Sequence, residues 1–595
     1  MRLSRLNSVI SACAALALGA QSGHAAPISW RTQWNDALFV RAAKDHRFVI
    51  LDLHAVWCHW CHVMDEKTYS DPKVQALISK RYVAVSVDAD SDPDLSSRYG
   101  DWGWPATIVL AADGSEIVKR RGYIPPEQMV SLLQAIIDDP SPGPSVGPAI
   151  VIAERGGSRL NSREHAALTK NYEQIYDEQH GGWGEVHKFI DAAPLELAYT
   201  MIDDGAASAM QHARQTLDAN LRLIDPVWGG VYQYSDAVDW NSPHFEKLIS
   251  FQADDLRLYS EAFARWQDPR YLAAANSLYR YMTTFLAAPD GGFYVSQDAD
   301  VSAKVSGHEF YAKDDVARRA IGMPRIDTHE YAREAGWAIR ALCKYYDVTG
   351  DKNALVKAER AAQWAIANRS LPSGGFRHDT HDRGGPYLDD ALAISQAFVA
   401  LYRTTGDRQW LARAATALEF INRSLRDPNA GYIAAPRSSR DHGVFRATVR
   451  QPEQNAAVVR VASLMHHYTG EIRYQKMATH GMKYLVAFAK AAPEQLRAEI
   501  LLADRELSVA PIHITVVGHK ADRDAQDLHA AALRYPSDYL QIDWWDRDEG
   551  RLPNPEIQYP QLDRAAAFAC TASACSMPVY DAAGIEKAVR SALAP

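Results

Sequence analysis

Trp57-Cys58-His59-Trp60-Cys61-His62-Val63-Met64 follows directly on the apolar run Phe48-Val49-Ile50-Leu51-Asp52-Leu53-His54-Ala55-Val56. The run reads as a buried strand, and positions 67–81 show helical spacing with Val74, Leu77 and Ile78 on one face. Two cysteines two residues apart, where a strand passes into a helix, are placed for redox chemistry. The first sulfur lies near the helix N-terminus, where partial positive charge favours its thiolate. The second is close enough to form a disulfide with it. Zinc ligation by Cys58, His59, Cys61 and His62 is the alternative, but no second Cys/His cluster at zinc spacing follows. No metal is expected.

The stretch resembles the active site of thioredoxins. Asp52, six residues before Cys58, matches the buried carboxylate that in thioredoxins handles the proton of the second cysteine, and Trp57 directly precedes Cys58 as it does there. Gly103-Trp104-Pro105-Ala106-Thr107 opens the apolar strand Ile108-Val109-Leu110. The resemblance implies that Pro105 is cis and faces the cysteines, leaving an extended edge for a substrate chain. Residues 34–44 read as a helix, 82–88 as a second strand, 90–99 as a polar connection, Asp113-Gly114 as a hairpin turn and 126–137 as a closing helix. An α/β thioredoxin-like domain is expected over 27–139, followed by a Pro/Gly/Ser-rich linker over 140–159.

With 595 residues the chain needs several domains. It is 47% hydrophobic and 23% charged, a globular composition. A net charge of −9 without a long basic run argues against a nucleic-acid partner. Arg2 and Arg5, the short apolar stretch 9–20 and Gly23-His24-Ala25-Ala26 read as a cleaved signal peptide over 1–26. Export is expected, to the periplasm if the source is Gram-negative. A lipoprotein reading at Cys13 leaves too short an apolar region, and no later stretch is long enough to span a membrane.

From 160 to 497 the pattern changes to helices in pairs: 208–223, 251–266, 269–286, 331–348, 353–369, 388–405, 408–425, 454–468 and 472–489. Between them recur Gly181-Gly182-Trp183, Gly229-Gly230-Val231-Tyr232, Gly291-Gly292-Phe293-Tyr294, Gly374-Gly375-Phe376 and Gly431-Tyr432. Such punctuation predicts a closed (α/α)6 ring of hairpins rather than an open bundle. Residues 498–595 return to α/β character, either as a small cap or as strands added to the ring.

Taken with Cys58 to Met64, the chain resembles the bacterial and animal relatives of spermatogenesis-associated protein 20. These join a thioredoxin-like domain to a helical toroid of the six-hairpin glycosidase type. The resemblance rests on Gly103-Trp104-Pro105, Gly181-Gly182-Trp183-Gly184 with Lys188-Phe189, Pro243-His244-Phe245-Glu246-Lys247, Gln297-Asp298-Ala299-Asp300, and Cys570 with Cys575-Ser576-Met577-Pro578-Val579. The chain departs from the family at Trp57, where relatives carry a small polar residue, and at Val186-His187-Lys188-Phe189-Ile190, which lacks the family's two prolines.

Two chemistries follow. In thiol–disulfide exchange, Cys58 attacks, Cys61 resolves the mixed disulfide and Asp52 carries the proton of Cys61. A protonated His59 between the sulfurs raises the potential above that of a Gly-Pro centre. The partners are then a redox protein and a disulfide-bearing client. Cys570 and Cys575 are expected as a structural disulfide, with electron relay as the alternative. In carbohydrate chemistry, paired carboxylates flank a sugar bond or ring. The candidates are His244, Glu246, Asp298, Asp300 and Asp389, beside Asp239 and Asp390, with Trp228, Trp240 and Tyr294 as stacking faces. Hydrolysis, isomerisation or sugar binding without turnover are its forms, and a non-enzymatic scaffold is the third reading. No nucleotide, flavin or haem motif is present, so no cofactor is expected.

Overall fold

The computed structural model describes residues 27–146 and 157–593, apart from positions 185, 303, 383, 438–440 and 572–574. The expected signal segment lies outside the described residues.

The N-terminal domain runs α1 (Asp36–Lys44), β1 (Phe48–His54), α2 (His59–Val63), α3 (Pro72–Arg81), β2 (Tyr82–Asp88), α4 (Pro93–Tyr99), β3 (Ala106–Leu110), β4 (Glu116–Arg121) and α5 (Pro126–Asp138). The sheet order is β2-β1-β3-β4, with β1 parallel to β2 and antiparallel to β3. β1 lies inside the sheet beside β3, which explains why its run is apolar but for Asp52 and His54. Two expectations change here. The helix expected over 67–81 is a π-helical turn at Met64–Thr68 followed by α3, which starts at Pro72 with Asp71 as its cap. The expected polar connection over 90–99 contains α4, capped by Asp92 with Pro93 in its first turn. Both starts carry the Asp-Pro signature, in which the carboxylate satisfies an orphan amide and proline lacks one.

Among the described residues, twelve longer helices build the ring. They are α6 (Ser162–Gln174), α7 (Ala192–Asp203), α8 (Ala207–Asn220), α9 (Ile249–Trp266) and α10 (Pro269–Tyr281). After the short α11 (Gly307–Tyr311) and α12 (Asp315–Ile321) come α13 (Ala332–Thr349), α14 (Lys352–Arg369), α15 (Leu388–Thr405), α16 (Arg408–Ser424), α17 (Pro452–Thr469), α18 (Ile472–Ala491) and α19 (Ala498–Ser508). The inner helices α7, α9, α13, α15, α17 and α19 pack each on the next, and α19 returns to α7. The fold is an (α/α)6 toroid. Helical periodicity alone misses α6, α7 and α19: α7 is apolar on most faces and shows no stripe.

Three inner helices end alike, at Thr349-Gly350, Thr405-Gly406 and Thr469-Gly470, with the glycines at φ of 74, 69 and 71°. The left-handed cap that turns each chain outward is free of steric penalty for glycine. At the matching position after α9, Gln267 holds φ 52°, which costs about 1 kcal/mol.

The last unit is a separate three-stranded sheet, ordered β11-β10-β12 in its strands Ile512–Val517 (β10), Leu540–Trp545 (β11) and Ala566–Cys570 (β12). It carries helices α20 (Arg523–Leu533) and α21 (Gly584–Leu593). It begins after α19 rather than at 498, because α19 closes the ring. It sits at the C-terminal ends of the inner helices, where Lys520 Nζ donates to Gly406 O at 2.9 Å and Tyr402 Oη to Asp543 Oδ1 at 2.6 Å.

The thioredoxin-like domain covers the opposite end. Arg437 grips Asp94 with two hydrogen bonds of 3.0 and 2.6 Å, and Arg98 donates to the carbonyls of Val444 and Ala447 at 3.1 and 2.6 Å. Phe445 of the ring is buried within the thioredoxin-like core beside Phe39 and Trp34.

Candidate redox site at the domain junction

Cys58 and Cys61 form a disulfide at the start of α2. Cys58 is the cap residue, and its Sγ accepts from the Cys61 amide at 3.1 Å. Both cysteines are buried, at 3% and 4% exposure, in an apolar pocket with Ala55, Trp57 and Trp104. Leu248 of the ring completes that pocket. The Trp104–Pro105 bond is cis. Trp57 is fixed by its indole N–H, which donates to Asp90 Oδ2 at 2.7 Å.

Asp52 lies on the central strand, buried, and accepts from Tyr69 Oη at 3.2 Å and Ser86 Oγ at 3.0 Å. Burial pushes its carboxyl up to about 6, against the pull of those two hydroxyls. The folded-state value exceeds the usual carboxyl value, so the neutral form is favoured by folding. That contribution is complete below about pH 4 and is lost as pH rises through about 6. Asp52→Asn is therefore expected to be more stable than the parent by about 3 kcal/mol at pH 8, and no more stable at pH 4. Urea midpoints at the two pH values check this.

The ring brings its own groups to the same place. β7 (Lys247–Leu248) pairs antiparallel with β8 (Ser296–Gln297), after β5 (Tyr234–Ser235) and β6 (Pro243–His244), and β8 pairs in turn with β9 (Ile326–Asp327). Lys247 stands opposite Gln297, which carries Glu246 and Asp298 to one end of the same ladder. That end faces the cysteines. Glu246 Oε1 accepts from the His59 amide at 3.3 Å, and Asp300 Oδ2 lies 2.5 Å from His59 Nδ1. His62 Nδ1 is 3.7 Å from Asp298 Oδ2. Asp300 Oδ1 also accepts from the Gly307 amide at 2.6 Å. The hydrogen bond to Asp300 raises the His59 imidazole above its ordinary value, and burial raises Glu246. Burial lifts Asp298 to about 6, whereas His59 holds Asp300 low despite burial.

A buried ion cluster holds this edge. Lys247 Nζ donates to Asp225 Oδ2 at 2.8 Å and to Gly229 O at 2.7 Å. Arg318 spans both oxygens of Asp225 at 2.7 and 3.0 Å. All three side chains are inaccessible to solvent.

Four of the five ring candidates thus meet at the cysteine pair: Glu246, Asp298 and Asp300 directly, and His244 one step back, 3.7 Å from Glu246 Oε2. Asp389 does not. It lines the central funnel of the ring, 3.9 Å from Arg333. Asp390 is buried against His378 at 2.9 Å, and Asp239 is engaged by Asn241 on the surface. Trp228 and Trp240 are buried with their indole N–H groups bound to Asp315 and the His180 carbonyl, so they are packing residues and not stacking faces. Tyr294 packs against the ring core. Cys570 and Cys575 are joined by a disulfide, and Cys343 is a buried free thiol. His62, Asp298 and Asp300 each offer one ligand atom within 4.8 Å of the others, the spacing of three ligands on one divalent cation. Both Asp300 oxygens already serve His59 and Gly307.

A family model described as a protein of unknown function, DUF255, under the name Thioredox_DsbH, matches residues 20–138. A second, the beta-L-arabinofuranosidase GH127 catalytic domain, matches residues 327–487. Spermatogenesis-associated protein 20 of Homo sapiens is 29% identical over 315 residues, which are 46% of this chain but only 39% of that protein. Thioredoxin-2 of Pyricularia oryzae is 35% identical over 101 residues, 17% of this chain and 52% of its own. A crystal structure of D-mannose isomerase aligns with 58% of this chain and 96% of its own at 11% identity, with a TM-score of 0.44.

Proposed function

We propose that this chain, homologous to spermatogenesis-associated protein 20 over nearly half its length, is a thiol–disulfide oxidoreductase whose cysteine pair is tuned by its helical ring. The observation that carries the reading is the convergence of Glu246, Asp298 and Asp300 on the Cys58–Cys61 helix. The segment 1–26 supports an exported protein, as does the second disulfide at Cys570–Cys575.

In the reducing direction the Cys58 thiolate attacks a client disulfide. One client sulfur leaves as thiolate and takes a proton from water, and Cys58 is left in a mixed disulfide. Cys61 passes its proton to the Asp52 carboxylate and attacks Cys58 Sγ. The second client sulfur leaves as thiolate and is protonated by water, so the pair is oxidised to the Cys58–Cys61 disulfide and the client gains its two electrons. A dithiol partner protein restores the reduced form. Asp52 suits its role because burial places its proton affinity near that of a working acid–base group.

Glu246 sets the poise. Its carboxylate occupies the first free amide of α2, which would otherwise stabilise the Cys58 thiolate, and it repels that thiolate as well. Glu246→Gln is expected to lower the Cys58 pKa and raise the reduction potential, by about 30 mV for a tenfold change. Glutathione titration at pH 8 reads the shift. An unchanged or lowered potential removes the ring from the account.

The polar funnel of the ring favours a second role in binding a small molecule, distinct from the exchange chemistry.

A further inference from the structure

The inner helices turn charged side chains toward the ring axis at helical spacing. On α13 these are Arg340 and Lys344, and on α9 Asp254 and Arg257. They line a funnel of about 370 Å3 and the cavity of about 120 Å3 into which it continues below. Glu196, Arg257, Arg340, Gln396 and Arg460 belong to both walls and form the waist between them.

Nearly every cation there has a carboxylate. Glu196 meets Arg257 and Arg460, with an Arg460 Nη1–Glu196 Oε2 distance of 2.6 Å, and Arg460 also reaches Glu506 at 2.9 Å. Lys344 pairs with Glu261, and Arg403 with Asp347 at 2.9 Å. Arg340 differs. Its guanidinium donates to the Gln396 side-chain oxygen at 3.1 Å, and among the described residues no carboxylate lies within ion-pair distance of it. Burial, and then the field of Arg257, bring its pKa down to about 10, so it remains charged at neutral pH. Glu196 and Asp254 act on this guanidinium only from beyond ion-pair distance, so at the waist of a polar cavity it keeps donor capacity for a ligand.

Above the waist carboxylates outnumber the cations, with Arg497 paired to Glu453. Asp254, Asp389, Glu453 and Glu499 line the funnel, groups that accept hydrogen bonds from hydroxyls. We propose that the funnel binds a small polyhydroxylated anion, a sugar acid or sugar phosphate, with its carboxylate or phosphate on Arg340 and its hydroxyls on the carboxylates above. The volume suits one sugar unit with its first waters. The site is separate from the cysteine pair and stands independently of the redox reading.

The test is calorimetric titration of the full chain with D-glucuronate, D-glucose 6-phosphate, D-glucose and inorganic phosphate. The expected result is binding of at least one of the two sugar anions, at least tenfold tighter than glucose and than phosphate alone. Whether glucuronate or glucose 6-phosphate wins tells carboxylate from phosphate. Arg340→Gln is expected to weaken the sugar anion at least tenfold, and Arg340→Lys to lose less. The wild-type comparison of glucuronate with glucose needs no variant, so it stands even if Arg340→Gln fails to fold. Equal binding of glucose, equal binding of phosphate alone, unaltered binding by Arg340→Gln, or no binding of either sugar anion at millimolar concentration overturns the proposal.

Discussion

Cys58→Ser is expected to abolish thiol–disulfide exchange by the full chain, leaving only the background of the buffer thiol. Cys61→Ser is expected to retain the first half of the reaction and to accumulate a mixed disulfide at Cys58. The asymmetry follows from position. Cys58 caps α2, and its sulfur already accepts the Cys61 amide. A thiolate there is stabilised by the helix and is the better nucleophile at neutral pH. Cys61 sits inside the first turn and acts only once Cys58 is engaged. Mass spectrometry of each variant after incubation with oxidised glutathione distinguishes them: an adduct on Cys61→Ser and none on Cys58→Ser. Exchange that persists in Cys58→Ser would assign the activity to Cys570–Cys575 instead.

The second large effect is expected far from the sulfurs. Asp225→Ala leaves Lys247 and Arg318 buried without their shared counter-charge. Breaking a buried ion cluster on one side costs about 3–5 kcal/mol, because the remaining charges stay desolvated. Burial already lowers Lys247 to about 8 even with its partner present. The loss is expected in urea denaturation at pH 7, and it should shrink at pH 9, where Lys247 deprotonates with less penalty. Lys247→Met in the Asp225→Ala background is expected to recover part of it, a coupling that a double-mutant cycle reads directly. Lys247 adjoins Glu246, so the single variant should also release the Glu246 contact with His59. A stability loss below about 1 kcal/mol would contradict the assignment of Asp225 as the hub of this cluster.

The two folds were legible for different reasons. The thioredoxin-like order follows from apolar strands of the right length, one cysteine pair and a Trp-Pro bond, all local signals. The ring follows from repeated helix pairs and Gly-Gly-aromatic turns, a signal spread over 300 residues but periodic. The starts of α3 and α4 were also written locally, as Asp71-Pro72 and Asp92-Pro93, yet a continuous helical stripe in one case and a polar stretch in the other outweighed them.

The junction was not legible in that way. His59 meets Glu246 and Asp300 across 187 and 241 residues of chain, and no spacing rule connects positions so far apart. The motifs around Glu246 and Asp298–Asp300 were visible, but they read as a sugar site of the ring because carboxylates on toroid loops have that chemistry available. The short β7–β8 ladder turns them instead toward the other domain. The funnel was missed for the opposite reason. Its charges sit on inner helices at core-facing positions, where Arg257, Arg340 and Lys344 look like exposed faces of amphipathic helices until the ring closes around them. Charged residues at three- and four-residue spacing inside helices that are otherwise apolar were the available signal.

The same geometry links the two sites. Trp57 donates to Asp90, Asp90 stands 4.0 Å from Arg333, and Arg333 stands 3.9 Å from Asp389 in the funnel wall. His378 ties the Asp90 carbonyl to Asp390 at the head of α15, with contacts of 2.7 and 2.9 Å. The thioredoxin-like domain therefore rests on the inner-helix N-termini through residues that neighbour the cysteine pair.

The most direct measurement is the reduction potential of Cys58–Cys61 in the full chain, followed by thiol content in glutathione buffers with Cys58→Ser as the blank. The expected result is a reversible two-electron couple between about −270 and −120 mV, the span from thioredoxin to a strong periplasmic oxidant. His59, whose protonated form Asp300 favours, draws it upward, and the ring carboxylates draw it back. A pair with no reversible couple, or one poised below thioredoxin, would contradict the account.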